Sequence, residues 1–449
     1  MTAFRAVLAG LGFSTSVGHI VCRPTPCFGG NCSSEVEAVT FQSASLSLHA
    51  WDASKDAYSE QGKISGHHMV HKEFGIFLHG PLFRPAMKRA EDFVPPIWLA
   101  GSLTDKIWRM DDIVLKDGAV SAQMKLIAYA ASPSTMYPVA PAHEGGPERM
   151  LVAEGNPFEW NPDPSGGASY WQGGVDLIDE SNCTTIYPKN IAERTVGEVV
   201  NTVECHHSGF CFFSVWKFYD DSLPLPSPDC LHWCRVSSMN DPSSCVETAV
   251  MKDDLGNDIC HVDGRGAVHG FKIGKDNSDG SFDMFLLYTG KGTFDKGDSS
   301  IFKLKVQTSV NGQVTTMMSE RWGEDLWMKS VGQGHSTGVD HAWVDDTGKY
   351  VWVGTFRKMS DGIHMLEYDT GKLVHSIFGI SDLIPKKYLY TSGITGIGAW
   401  GQQGSVVAIA TCMEFGQQFM GGTSALVLID ISGVSANATV VEDMATVVV

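Results

Sequence analysis

Among the 16 histidines of this 449-residue chain, five recur at nearly regular intervals. His143, His206, His269 and His335 stand 63, 63 and 66 residues apart, His67 lies 76 before the first of them, and Ser392 falls 57 after the last. Imidazole is a ligand for zinc, copper, iron and manganese. A repeat that gathered these side chains would therefore build a divalent transition-metal site, and an open coordination position would suit it to catalysis. The flanking residues carry chemistry too, in Glu204-Cys205-His206-His207, Gly334-His335 and Asp340-His341. A carboxylate such as Asp340, Glu204 or Asp263 can orient a ligating ring through its second nitrogen or act as general base. We therefore expect metal ligation by His67, His143, His206, His269 and His335, with Asp340, His341 and His207 in catalytic roles. The same recurrence also fits histidines that bond turns within their own repeat, or a coincidence of spacing.

Three other segments contain ligand-type residues. Asp276-Asn277-Ser278-Asp279-Gly280-Ser281-Phe282-Asp283 is a possible calcium site, yet it lacks the final acidic residue of an EF-hand loop, and Asp/Asn/Gly clusters are also ordinary turn chemistry. Cys230-Leu231-His232-Trp233-Cys234 has no second Cys pair at zinc-finger spacing. Cleavage of a leader after Gly18 would leave His19 as a terminal amine and imidazole able to bind copper, or simply as the start of a tail. Neither a P-loop, nor His-Glu-x-x-His, nor a helix-opening Gly-x-Gly-x-x-Gly is present, so nucleotide and dinucleotide chemistries lack support.

Short strands must position any such site. Val339 to Val344, Tyr350 to Phe356, Ile363 to Tyr368 and Leu373 to Phe378 read as four strands, separated by turns at Asp345-Asp346-Thr347-Gly348, Ser360-Asp361-Gly362 and Asp369-Thr370-Gly371-Lys372. The stretch before repeats the layout with Ala267 to Ile273, Asp283 to Thr289, Ile301 to Val306 and Val314 to Met318. The stretch after sets Gly398-Ala399-Trp400 where His341-Ala342-Trp343 stood, ahead of an apolar strand from Val406 to Ala410. Helix periodicity is absent, and Gly 48 with Pro 19 favours turns.

Four short antiparallel strands in about forty residues, recurring along the chain, resemble the blades of β-propeller proteins as a structural group. The WD dipeptide does not recur, standing once at Trp51-Asp52, and the shorter repeat of WD40 proteins is missing. The resemblance implies an all-β fold in which residues 35–449 form one propeller of six four-stranded blades, or seven. It also implies that the innermost strand of each blade runs along a central axis, so equivalent residues converge on a ring. The phase stays open: aligned strands match His269 with His341, whereas spacing matches it with His335.

Composition sets the surroundings. Lys+Arg 33 against Asp+Glu 51 gives a net charge of -18, which repels phosphate backbones and anionic lipid, so nucleic acid is not an expected partner. No apolar run approaches a membrane span. Residues 1–18 have the charged start, apolar core and small residues of a signal peptide, and residues 19–34 are Cys-rich with Cys22, Cys27 and Cys32. Eleven cysteines and the sequons at Asn31, Asn182 and Asn437 point to disulfides, glycan and a secreted or endomembrane location. Cys412, isolated in an apolar run, is the expected free thiol. Together these lead to a secreted metal-dependent enzyme acting on a small molecule or saccharide by hydrolysis, elimination or oxidation. The alternative is a glycosylated binding or scaffold propeller, in which Trp160, Tyr170, Trp171 and Trp233 in loops stack on sugar.

Overall fold

The computed structural model describes residues 22–25, 35–52, 57–71, 76–79, 97–101, 105–116, 119–130, 133–139, 149–154, 173–179, 182–187, 198–217, 230–239, 241–259, 266–290, 300–308, 314–321, 338–345, 348–356, 362–380, 383, 392–402, 405–414 and 424–430. They form an all-β structure of antiparallel sheets, with a 3-10 turn at Pro242–Ser244 among them.

The strands in chain order are β1 (Arg23–Pro24), β2 (Val36–Asp52) and β3 (Ala57–His71), followed by successive groups of four. The first group is β4 (Ile76–His79), β5 (Ile97–Gly101), β6 (Lys106–Lys116) and β7 (Ala119–Tyr129). Next come β8 (Met136–Val139), β9 (Arg149–Glu154), β10 (Gly174–Ile178) and β11 (Cys183–Tyr187), then β12 (Glu198–His206), β13 (Phe210–Lys217), β14 (Cys230–Val236) and β15 (Cys245–Val250). After the short β16 (Lys252–Asp253) follow β17 (Gly266–Asp276), β18 (Phe282–Gly290), β19 (Ser300–Thr308) and β20 (Val314–Arg321). A further group is β21 (Gly338–Val344), β22 (Tyr350–Phe356), β23 (Gly362–Glu367) and β24 (Leu373–Phe378). The chain continues with β25 (Ser392–Gln402), β26 (Ser405–Glu414) and β27 (Ser424–Asp430), and the fourth strand beside β27 is β3, from the other end of the sequence. Within each group the strands pair in this order, and only β16 is parallel to its neighbour, β20.

Side-chain alternation explains the strands. Along β7 exposed and buried positions alternate from Ala119 to Lys125, so Val120, Ala122 and Met124 share the inward face. β5, β9 and β10 are buried on both faces and are correspondingly apolar over most of their length. Each group packs face to face on the next. Phe212 and Leu231 of one meet Phe271, Phe282 and Leu286 of the following group, whose Phe285 and Leu287 reach Val351, Leu366 and Tyr368 beyond. Ile363 and Ile377 then meet Ile394 and Val427, and Leu426 and Leu428 of β27 pack with Leu99 and Met110 of the first group. Two more clusters fill the spaces on either side of β8–β11. Each fully buried Phe or Leu contributes about 1.5–3 kcal/mol through apolar surface removed from water.

The opening strands also lie against one another, β8 on β12, β12 on β17, β17 on β21, β21 on β25, β25 on β4 and β4 on β8. Cross-links add to the packing. Disulfides join Cys22 to Cys183, Cys205 to Cys211 and Cys234 to Cys245, and Cys230 is disulfide-bonded as well. β1 pairs with β7, and the Thr25 hydroxyl lies 2.7 Å from the Leu126 and Ile127 carbonyls, so residues 23–25 are tied down beside the first group. Cys27, Cys32, Asn31 and Asn437 lie outside the described residues, while Asn182 is exposed next to the Cys22–Cys183 bridge.

Buried imidazoles make this packing sensitive to acid. His364 is fully buried on β23, its Nδ1 lies 2.8 Å from Ser376 Oγ, and desolvation pushes its pKa down to about 3. Burial also leads in lowering His68, His206 and His375. The unfolded chain then binds more protons than the folded one once the pH drops below the ordinary histidine range, and stability falls. His364 alone should cost about 2 kcal/mol between pH 6.5 and 5. Urea unfolding at the two pH values measures this; equal stabilities would refute it.

Candidate functional site

Four opening strands share an irregularity. β12 shifts register against β13 between Val200 and Thr202, and β17 against β18 between Val268 and Gly270. β21 shifts against β22 between Val339 and His341, and β25 against β26 between Ile394 and Gly396. The inserted residues are Asn201, His269, Asp340 and Thr395, all polar and each preceded by Val or Ile. A bulge bends a strand and re-aims a side chain, which is why bulges gather near functional sites.

The bulge register is also a spatial level. Three residues past it stand Glu204, Lys272 and Trp343, on consecutive groups, and they touch in sequence. Glu204 Oε1 accepts from Lys272 Nζ at 2.5 Å, its Oε2 accepts from the Ile273 amide at 2.9 Å, and Lys272 Nζ lies 4.4 Å from the Trp343 ring centroid. The bulge on β12 is pinned from the neighbouring group: Thr135 Oγ1 donates to the Asn201 carbonyl at 2.9 Å and accepts from the Val203 amide at 3.1 Å. The Ser134 hydroxyl lies 2.9 Å from the same carbonyl.

This register distributes the expected site residues. His269 and Asp340 fall at the bulge level, and His341 follows one residue on, opposite Gly354 and buried. His206 and His207 come five and six residues past Asn201, about 16 Å along the strand direction, at the β12–β13 hairpin. The 63-residue beat thus does not coincide with strand register, which pairs His269 with Asn201 and Asp340; unequal loops between strands separate the two. The Ala-Trp match is likewise two residues out of register, a shift that preserves the face of each residue. His67 lies on β3, half-buried between Ser43 and Leu428, in the strand of its group furthest from β25. His143, His335 and Asp263 lie outside the described residues.

The hairpin end gathers His206, His207 and Asp276. His206 Nε2 is 2.9 Å from Asp276 Oδ1 and His207 Nε2 is 2.8 Å from Oδ2. Burial holds the His206 imidazole below its usual range against the opposing hydrogen bond to Asp276, and the hydrogen bond from His207 leads in holding the Asp276 carboxyl below its own. The other carboxylates of the possible calcium loop turn to separate partners: Asp279 to Lys305 and Ser281, Asp283 to Lys303, Asn277 and Tyr368. The Tyr368 hydroxyl donates to Asp283 at 2.8 Å and accepts from the Lys275 amide at 2.7 Å, joining the β17–β20 group to β21–β24.

One further expectation is corrected, and the disulfide reading of the cysteines holds for Cys230 and Cys234. Trp233 is not a loop aromatic: it sits on β14, buried against Phe210, because it shares with Leu231 the face that packs into the apolar cluster toward the following group. Cys230 and Cys234 are committed to disulfides and cannot offer thiolates with His232, whose Nδ1 lies 3.4 Å from the Tyr187 hydroxyl. Trp160, Tyr170 and Trp171 lie outside the described residues. Cys22, Glu154 and Asp176 also bring ligand-type atoms within 4.8 Å of one another, but the Cys22 sulfur is spent in its bridge to Cys183. Asn201, Thr395 and the pairing of Asp276 escaped the sequence. An available signal was the recurring aliphatic-polar-Gly triplet in Val268-His269-Gly270 and Ile394-Thr395-Gly396.

No protein-family model matches the chain, and no curated protein matches it. Among solved structures it is similar to a luciferin-regenerating enzyme at 12% identity, covering 81% of this chain and 95% of that one with a TM-score of 0.45. A glycosyl hydrolase from Bacteroides ovatus aligns at 9% identity over 66% of this chain and 84% of that one, with a TM-score of 0.28. A structure from the GH130 family of mannoside phosphorylases aligns at 11% identity over the same shares, 66% and 84%, with a TM-score of 0.26.

The Glu204–Lys272 pair, with side chains 11% and 14% exposed, supports the bulge level and is testable by itself. Lys272→Ala should destabilise the protein by about 3 kcal/mol, because it strands a buried carboxylate. Adding Glu204→Gln should recover part of that loss. Urea unfolding of the three proteins reads the coupling; additive losses would show that the pair holds nothing together.

Proposed function

We propose that the six four-stranded groups are blades of one closed β-propeller spanning residues 35–449. At the bulge level of its opening strands the propeller holds a divalent transition metal. There a small molecule or saccharide is hydrolysed, eliminated or oxidised. The reading rests on one observation, the shared bulge that sets Asn201, His269, Asp340 and Thr395 at equivalent positions on strands in mutual contact. Six hydrophobic clusters, each between two consecutive groups, support the closed arrangement.

Imidazole, carboxylate and neutral oxygen are ligand types that zinc, manganese, iron and copper accept, and a set of this size leaves positions for water and substrate. When bound, such an ion polarises an oxygen of the substrate and lowers the pKa of its water. In this reading His269 and Asp340 are ligands and His341, next to Asp340, moves the proton. The disulfides and the exposed sequon at Asn182 support a secreted or endomembrane glycoprotein. The acidic charge of -18 agrees with a neutral or cationic ligand rather than nucleic acid.

Elemental analysis of tag-free secreted protein tests the proposal. Wild type should carry tightly bound metal, and His269→Ala and Asp340→Asn should each remove about one equivalent while moving the melting temperature by only a few degrees. Wild-type protein free of metal at this level and fully stable would instead identify a binding or scaffold propeller.

A further inference from the structure

The hairpin ends of β12 and β17 carry a second set of ligand atoms, none of which the bulge level uses. His206, His207 and Asp276 each offer one atom, and the three atoms lie within 4.8 Å of one another. Two imidazoles and a carboxylate are a donor set for zinc, copper or nickel, with the remaining positions left to water.

The set is built into rigid elements. Cys205 and Cys211 face each other across the hairpin and are bridged, so the turn that carries His206 and His207 is closed immediately behind them. Gly209 supplies the positive φ, +93°, that completes this turn. The His206 ring stacks on Phe282 with centroids 3.8 Å apart and planes 16° off parallel. Its Nδ1 lies 2.8 Å from the Ser208 hydroxyl and accepts from the Ser208 amide at 3.3 Å, which leaves Nε2 as the nitrogen aimed at Asp276. With an ion on Nε2 the ring proton sits on Nδ1 and donates to the Ser208 hydroxyl, the kind of partner that orients metal-ligating histidines. Asp276 approaches from the next group of strands, and His207, 74% exposed, gives an ion direct entry from solvent.

We propose that His206, His207 and Asp276 bind one divalent transition ion of the zinc class, which cross-links the hairpin ends of two adjacent strand groups. The ion replaces the two hydrogen bonds to Asp276, and each neutral imidazole shifts its proton from Nε2 to Nδ1 on binding. The site stands apart from the bulge level and does not depend on the function proposed there.

Zinc titration into chelator-stripped full-length protein, followed by calorimetry and by melting temperature, tests the site. Stripped wild type should bind a zinc ion at these residues and melt higher with it. That binding should persist in Asp340→Asn. His207→Ala should weaken it by at least about 100-fold, since even residues that only support a ligand cost 10–100-fold. Asp276→Asn, nearly isosteric, should do the same, so a folding defect in one variant would not confuse the result. Zinc stoichiometry, affinity and melting shift unchanged in both variants would overturn the proposal, as would no binding by stripped wild type at about 100 µM zinc. Loss in Asp340→Asn with retention in His207→Ala would also sink it while favouring the bulge-level site; the reverse pattern supports this site and leaves the other to fail alone.

Discussion

The pairing of β27 with β3 is the interaction on which the rest of the architecture depends. It sets Ser424 to Ile429 beside Gly66 to His71, so segments from opposite ends of the chain complete one sheet. Without it that group of strands would expose an unpaired edge and lose its contact with the first group, and each apolar cluster needs sheets on both sides. β2 extends the link, pairing with β3 along most of its length, with β7 through Val36 to Phe41 and with β24 through Ser47 to Ala50. One long strand thereby stitches three groups together.

The opening strands work under a different constraint. Opening strands lie against one another, and polar groups there need partners inside the protein. Glu204, Lys272 and Trp343 satisfy one another across three groups, and Thr135 satisfies the backbone around the Asn201 bulge. A buried ion pair adds little net stability compared with well-packed apolar residues, but it penalises any misregister that would leave one charge alone. The Tyr368–Asp283–Lys303 contacts do the same between the β17–β20 and β21–β24 groups. Register, more than raw stability, is what these contacts secure.

The hairpin ends are governed by covalent closure. The Cys205–Cys211 bridge restricts the turn at His206–Gly209, and the Cys234–Cys245 bridge ties the third strand of the same group to its fourth. The β12–β15 group is therefore the most heavily cross-linked among the described residues, and it carries both the hairpin histidines and the buried Glu204. Side chains on such an element start close to one geometry, so less entropy is lost when a ligand fixes them.

The sequence by itself determined the strand pattern, because alternation and turn residues are local properties. Tyr350–Phe356 and Leu373–Phe378 fall where the reading placed them, and Val406 to Ala410 lies inside β26. The all-β class, the antiparallel units of four and the use of disulfides were legible for the same reason. Phase was not legible. Loops of unequal length separate the groups, so the even spacing of His206 and His269 bears no relation to strand register, and only the pairing shows that Asn201, His269, Asp340 and Thr395 are equivalent. The partner of β27, the burial of Trp233 and the meeting of Asp276 with two histidines from 69 and 70 residues away were decided by tertiary structure alone. Each is a contact between segments remote in sequence, and chain spacing carries no record of which segments the packing of sheets will bring together.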